Sequence, residues 1–344
     1  MDATNRLRQK LKERSDKSRG GELTGLHRFS EAAELWFSKF AAMVDDGRRS
    51  AGSLDTYRRQ LDNHFLPALG EVRLGEATTP LVDKVIAAIK ADAGRPTAKT
   101  CRGVISGVMG LAVRYGAVST NPVREVERIE VVPRKAPRSL TSLEITAWLG
   151  QLGSDEKAVR KDLPDLTLFM LATGVRIGEA LAVMWDQVDF DGAEVEITHT
   201  VIRVKGQGLL RKPTKSRAGE RLLGLPMVAL AVLRRRFMAG GRLDLPVFPD
   251  SLGGLRDPAN TRRDIRDARG EAALAWITSH NFRKTTATVL DGGDFTAREI
   301  ADQLGHARPS MTQDVYMGRK VRNPRAVGAL DAMLRQAMDE NEGG

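Results

Sequence analysis

Tyr316 follows Leu304-Gly305-His306 in a basic chain, an arrangement that aims a phenolic hydroxyl at phosphate. Upstream lies His280-Asn281-Phe282-Arg283, and about a hundred residues before that Thr173-Gly174-Val175-Arg176-Ile177-Gly178-Glu179-Ala180-Leu181. Together these motifs hold what phosphodiester cleavage without metal requires: a nucleophile, cations for charge growing on the nonbridging oxygens, and an acid for the departing alkoxide. Arg176 and Arg283 carry planar forks that match two phosphate oxygens, a geometry lysine does not offer. Glu179, three residues after Arg176 on the same predicted helical face, can hold that guanidinium in place. His280 and Arg283 share the same i, i+3 relation on a later helix. Of three tyrosines, Tyr57 and Tyr115 fall at helical positions in the first half of the chain, which leaves Tyr316 in the second. A phenol titrates near pH ~10, so it needs cationic neighbours or a base, and His306 and the two arginines provide that field. Lys215, in Pro213-Thr214-Lys215-Ser216-Arg217, sits on a predicted hairpin from which it can protonate the leaving oxygen.

Taken singly, each residue has a plainer account. Arg176 and Glu179 can form an ordinary intrahelical ion pair, His280 can be a helix-start residue, His306 a core histidine, Tyr316 an amphipathic surface residue and Lys215 one more hairpin lysine. Short motifs match by chance often. Their joint order in one basic chain makes coincidence the weaker account.

The scaffold must place residues spread over 141 positions, from Arg176 to Tyr316. At 344 residues the chain exceeds one typical hydrophobic core, so two domains are expected. The net charge of +10, from 54 Lys and Arg against 44 Asp and Glu, points to a polyanion: DNA, RNA or an acidic membrane surface. The single cysteine, Cys101, forbids an intramolecular disulfide, and the five histidines show no zinc-site spacing with it, so neither metal nor cofactor is expected. No apolar run approaches the roughly 18 residues of a membrane span. Residues Met1 to Arg8 lack the apolar core of a signal peptide, and a cytoplasmic protein, nucleoid-associated when active, is the expectation.

Residues 1–25 read as a charged segment with a short coupling helix and a flexible joint. Residues 26–124 read as a helical domain, with apolar periodicity at Phe29 to Met43, Leu54 to Phe65 and Leu81 to Ile89, a fourth helix from about Pro96 to Tyr115, and joins at Pro67, Gly70, Gly75 and Gly94. Its basic residues Arg58, Arg59, Arg95, Lys99 and Arg102 suit a DNA backbone, as they suit an ordinary solvated face. Residues 125–139 form a basic linker whose prolines exclude a stable helix, with Arg134 and Lys135 as further DNA contacts or as parts of a plain joint. In residues 140–344, Ser139 or Thr141 caps a helix, Glu144 completing a capping box with Thr141, and a second helix runs from Leu163 to Ala172. A strand from Glu194 to Val204, a turn at Gly206-Gln207-Gly208 and a returning strand Arg221 to Leu225 make this domain mixed. The fold class is mainly α with a small antiparallel β-sheet.

In this order the residues resemble the tyrosine recombinases, specifically phage-type integrases, from about residue 27 onward. The most specific parts are Ala172 to Leu181 and Leu304 to Tyr316. The resemblance implies a SAM-like helical core-binding domain followed by a catalytic domain, with Arg176, Lys215, His280, Arg283, His306 and Tyr316 catalytic and Glu179 supporting them. Lys205 and Lys212 flank the same hairpin as Lys215 and leave its register open. It further implies strand exchange without metal or ATP, through a 3'-phosphotyrosyl link and a Holliday junction, by a homotetramer on double-stranded DNA attachment sites. A DNA-bending host factor and a directionality factor are expected partners. A last helix with Ala326, Leu330, Met333, Leu334 and Met338 on one face can dock into a neighbouring subunit or pack on its own domain. Many such integrases begin with an arm-binding sheet domain. Here a charged segment of about 25 residues precedes the helical domain, so the chain is either arm-independent or retains only the joining helix. An Xer-like dimer-resolving recombinase, a type IB topoisomerase and a non-catalytic DNA-binding protein are the alternatives.

Overall fold

The computed structural model describes residue 5 and residues 23–130, 138–204, 206–214, 217–270, 272–293 and 295–306. The charged N-terminal helix, Arg134, Lys135, Lys205, Lys215, Tyr316 and the expected last helix lie outside them. The chain divides into two compact units, the first up to Arg134 and the second beyond it, the hairpin tip 203–208 aside.

The first unit is built from helices α1 (Phe29–Asp45), α2 (Ala51–Gln60) and α3 (Thr79–Arg114). After α2 the helix widens into a π turn, Leu61–Phe65, which keeps Leu61 and Phe65 in the core. The break expected at Gly94 is present: its φ of 82° interrupts α3 and lets Pro96 open the second half. Gly107 brings Trp36 against α3, since a Cβ there would lie 2.8 Å from the indole nitrogen. Val123 and Val126 are buried in this core and Ile129 packs on it, so the segment read as a linker from residue 125 is part of the first unit as far as Ile129.

The second unit begins with Leu140 in its core and continues with α4 (Ser142–Ser154), α5 (Glu156–Arg160), α6 (Leu163–Thr173) and α7 (Ile177–Ala180). Thr141 caps α4, its hydroxyl accepting from the Glu144 amide at 3.2 Å while Glu144 accepts from the Thr141 amide at 2.9 Å. Five short strands follow: β1 (Val188–Asp189), β2 (Glu194–Ile197), β3 (His199–Val204), β4 (Gly208–Pro213) and β5 (Arg221–Gly224). The segment read as one strand from Glu194 to Val204 is two. It divides at Thr198: β2 pairs antiparallel with β1 and β5, with Val195 opposite Leu223, whereas β3 pairs with β4 in a separate hairpin. Gln187 marks the division, its amide donating to Glu196 O at 3.0 Å and Thr198 Oγ1 at 2.7 Å. Helices α8 (Met227–Met238), α9 (Pro258–Asp267), α10 (Ser279–Gly292) and α11 (Ala297–Leu304) follow among the described residues. Buried Trp148 of α4 packs on Phe282 of α10 with ring centroids 6.0 Å apart, fixing the helix that carries two of the predicted site residues. Among the described residues no helix is long and apolar enough to cross a membrane.

Candidate active site

Four segments of the second unit converge: the α6–α7 joint, the head of β5, the first turns of α10 and the turn after α11. The joint depends on Gly174, which ends α6 at φ 71°. A Cβ there would meet Leu304 Cδ2 at 2.9 Å and Thr286 Cγ2 at 3.1 Å, so the residue serves both the left-handed turn and the approach of α10 and α11.

Arg176 is not in a helix with Glu179, as the spacing had suggested. It is the N-cap of α7, in extended conformation, and Glu179 reaches back to it in a capping box. The Arg176 amide donates to Glu179 Oε2 at 3.1 Å, and Arg176 Nη1 donates to Oε1 at 2.7 Å. The expected pairing therefore forms, but from a cap, which directs the arginine away from the helix surface. Its side chain is 45% exposed and that of Glu179 only 5%.

Glu179 also accepts a hydrogen bond at 3.0 Å from Arg221 Nη2, a residue the sequence reading passed over. A signal was there. In the alternating strand Arg221-Leu222-Leu223, Arg221 shares its face with buried Leu223, and an inward arginine requires a carboxylate. Burial pushes the Glu179 pKa up, but Arg221 and Arg176 outweigh it, holding the carboxylate below its ordinary range.

On α10, Asn281, Phe282, Thr285 and Thr286 fasten the helix on its buried side. Asn281 Nδ2 donates to Arg138 O at 2.9 Å, Thr285 Oγ1 accepts from the Leu140 amide at 2.8 Å, and Thr286 Oγ1 donates to Leu171 O at 2.8 Å. Arg283 is 1% exposed. Its Nη1 donates to Gly174 O at 2.8 Å and its Nη2 to His306 Nε2 at 2.6 Å, which ties the α6 end to the Gly-His turn. His306 is itself buried, and its amide donates to Ala301 O at 2.8 Å. Desolvation, then the charges of Arg283, Arg176 and Arg221, lower its pKa to about 4. It is therefore neutral at pH 7, with Nε2 as acceptor and the proton on Nδ1. His280, exposed on the first turn of α10, is also lowered, by desolvation and then by Arg283 and Arg176.

The structure thus brings together Arg176, Glu179, His280, Arg283 and His306. The DNA-contact candidates of the first unit stand on α2, with Arg58 and Arg59, and on α3, with Arg95, Lys99 and Arg102. Arg58 is held by Glu34 at 2.7 Å and Asp62 at 2.9 Å. Arg102 Nη2 donates to Val123 O and Val126 O at 3.1 and 3.2 Å, and Arg95 donates to Glu130 O at 3.4 Å. Arg59 and Lys99 are exposed. Lys212, the described alternative to Lys215, stands on β4 beside Arg211, which donates to Ala182 O and Gln187 Oε1.

A helical unit followed by a mixed unit with this cluster of arginines, histidines and one carboxylate defines the tyrosine recombinase class. Family models agree: "Phage integrase central domain" matches residues 29–128 and "Phage integrase family" matches residues 140–321. The tyrosine recombinase XerC of Xylella fastidiosa (strain M23) is 25% identical over 280 residues, covering 80% of this chain and 88% of that protein. An integrase of Streptomyces ambofaciens is 25% identical over 269 residues, covering 74% of this chain and 68% of that one. Among solved structures, the Tn1549 transposon integrase in complex with transposon right end DNA superposes with a TM-score of 0.71 at 15% identity, covering 90% of this chain and 100% of that one. The lambda integrase tetramer bound to a Holliday junction gives 0.61 at 16% identity, covering 84% and 78%. The chain belongs to the phage integrase family and is a site-specific tyrosine recombinase.

Proposed function

We propose that this protein cuts and rejoins DNA through a covalent Tyr316 intermediate, to integrate or excise a mobile element. The observation that carries this reading is the Glu179 carboxylate holding Arg176 beside the Arg283–His306 pair, because it assembles cation on residues from separate segments. Tyr316 Oη attacks the scissile phosphorus, the bond to the 5'-oxygen breaks, and a 3'-phosphotyrosyl link forms. Neutral His280 takes the phenolic proton, and Lys215 supplies one to the departing 5'-oxygen. Arg176 and Arg283 balance charge on the nonbridging oxygens, with His306 as neighbour. The freed 5'-hydroxyl then attacks the partner's phosphotyrosyl bond. Bond energy stays in the covalent link, so no ATP enters the balance.

Likeness to a tetramer on a Holliday junction supports four copies acting on paired sites, with Arg59, Lys99 and Arg134 of the first unit and Lys135 beyond it contacting backbone phosphates. DNA-bending and directionality factors would set the direction. Dimer resolution of the Xer kind is the second reading, favoured by the match to XerC over 88% of that protein. Exchange between directly repeated replicon sites, with none between phage-type attachment sites, would select it.

The test is a nicked suicide duplex carrying the attachment sites beside the gene, incubated with the full chain. A 3'-linked adduct is expected from wild type and none from Tyr316→Phe, with duplex binding equal in both. Tight binding without an adduct would leave a non-catalytic DNA-binding protein.

A further inference from the structure

We propose that Arg221 is a positioning residue that acts through Glu179 to hold the Arg176 guanidinium in register for cleavage, an inference that rests on the reading above.

Arg221 heads β5 with a side chain only 7% exposed, and three of its nitrogens serve three acceptors. Nη2 donates to Glu179 Oε2 at 3.0 Å, Nη1 to Gly219 O at 2.9 Å and Nε to Gln303 O at 2.9 Å. Those acceptors lie on α7, on the turn entering β5, and near the end of α11. The last two fix where the guanidinium sits, and the first uses that position to fix Glu179. With Arg221 on Oε2, Arg176 Nη1 is left Oε1 at 2.7 Å. Remove Arg221, and a buried carboxylate keeps one side-chain cation. The fork–fork geometry that arginine and carboxylate prefer would then draw both Arg176 Nη atoms onto Glu179, turning the guanidinium from its place.

The Gly-His motif carries an independent mark of this seat. Gly305 stands at φ 67°, and a Cβ on it would lie 2.6 Å from Arg221 Nη1 and 2.8 Å from Ala218 O. The turn that presents His306 is therefore shaped to the Arg221 guanidinium as well as to its own backbone. Lysine's three N–H bonds all leave one nitrogen, so it cannot place a separate nitrogen against each of the three acceptors as the planar guanidinium does.

The experiment uses the full chain and the nicked suicide duplex, measuring adduct formation rate, duplex affinity and thermal melting for wild type, R221K, E179Q and E179Q/R221Q. Arg221→Lys should slow adduct formation about a hundredfold, the scale of a catalytic group displaced by roughly an ångström, while duplex affinity stays at the wild-type value. The neutral pair E179Q/R221Q should cleave at the rate of E179Q alone, a non-additivity that loss of packing would not produce. That pair also carries the test should R221K fail to fold. Wild-type cleavage by R221K overturns the inference, as does a further large loss when R221Q is added to E179Q. Loss of affinity and melting temperature in step with rate overturns it too, by assigning Arg221 to the fold alone. A wild-type protein that binds without forming adduct overturns the parent reading and this one with it.

Discussion

Arg58 in the first unit and Arg176 in the second are both held by carboxylates, yet their charge balance is opposite. Around Arg58 one guanidinium faces two acids, Glu34 and Asp62, at 2.7 and 2.9 Å. The hydrogen bonds it donates to Glu34 and Asp62 raise its pKa further, so the cation is bound in place by its own unit. In the second unit one buried acid, Glu179, stands with Arg176, Arg221 and Arg283 around His306. Cations exceed anions there, and the pKa values of both buried His306 and exposed His280 are lowered, by desolvation first and then by the arginines. Net charge belongs to the whole chain, whereas the local ratio of cation to carboxylate differs between the two arginines and, under the function proposed above, separates a phosphate-directed arginine from a structural one.

The sharpest way to break this comparison is Arg176→Lys. It keeps the charge but loses the fork, and adduct formation should fall about 10²- to 10³-fold with duplex affinity little changed. A rate within a few-fold of wild type would place Arg176 with Arg58 as a structural cation.

The histidines give the next largest effect. His306 has its pKa lowered from 6.5 to about 4 in the fold, so between those values the unfolded chain binds a proton that the native state does not. Stability is then complete above pH 6.5 and is lost as pH falls toward 4, by on the order of 3 kcal/mol from this group. Melting followed across that range should show the loss, and His306→Gln should flatten it.

The smallest effect sharpens the first-unit side. Lys99→Ala should reduce the slope of log affinity against log salt by about one, as expected for a lost phosphate contact. Arg58→Ala should leave that slope unchanged, because Glu34 and Asp62 already neutralise it. Equal slopes for both variants would show that the ion pairs open on DNA and that the contrast between the units is weaker than their free geometry indicates.

What the sequence by itself determined was local. Thr141 and Glu144 form a cap within one turn, Gly94 breaks α3 through its own backbone freedom, and apolar periodicity marks the helix faces. The order of Arg176, Lys215, His280, Arg283, His306 and Tyr316 was equally legible, because motif spacing is a property of the chain. The tertiary structure decided the rest. It split residues 194–204 at Thr198, because β5 captures β2 while β4 captures β3, and no signal within the segment chooses between those partners. It turned the Arg176–Glu179 pair from a helical face into a cap. It placed Arg221 on Glu179 across 42 residues and Arg283 on His306 across 23. Caps and periodicity are settled by neighbours a turn away. Which arginine meets which acid is settled by which elements pack, and that sum over the whole core is written in no single stretch of sequence.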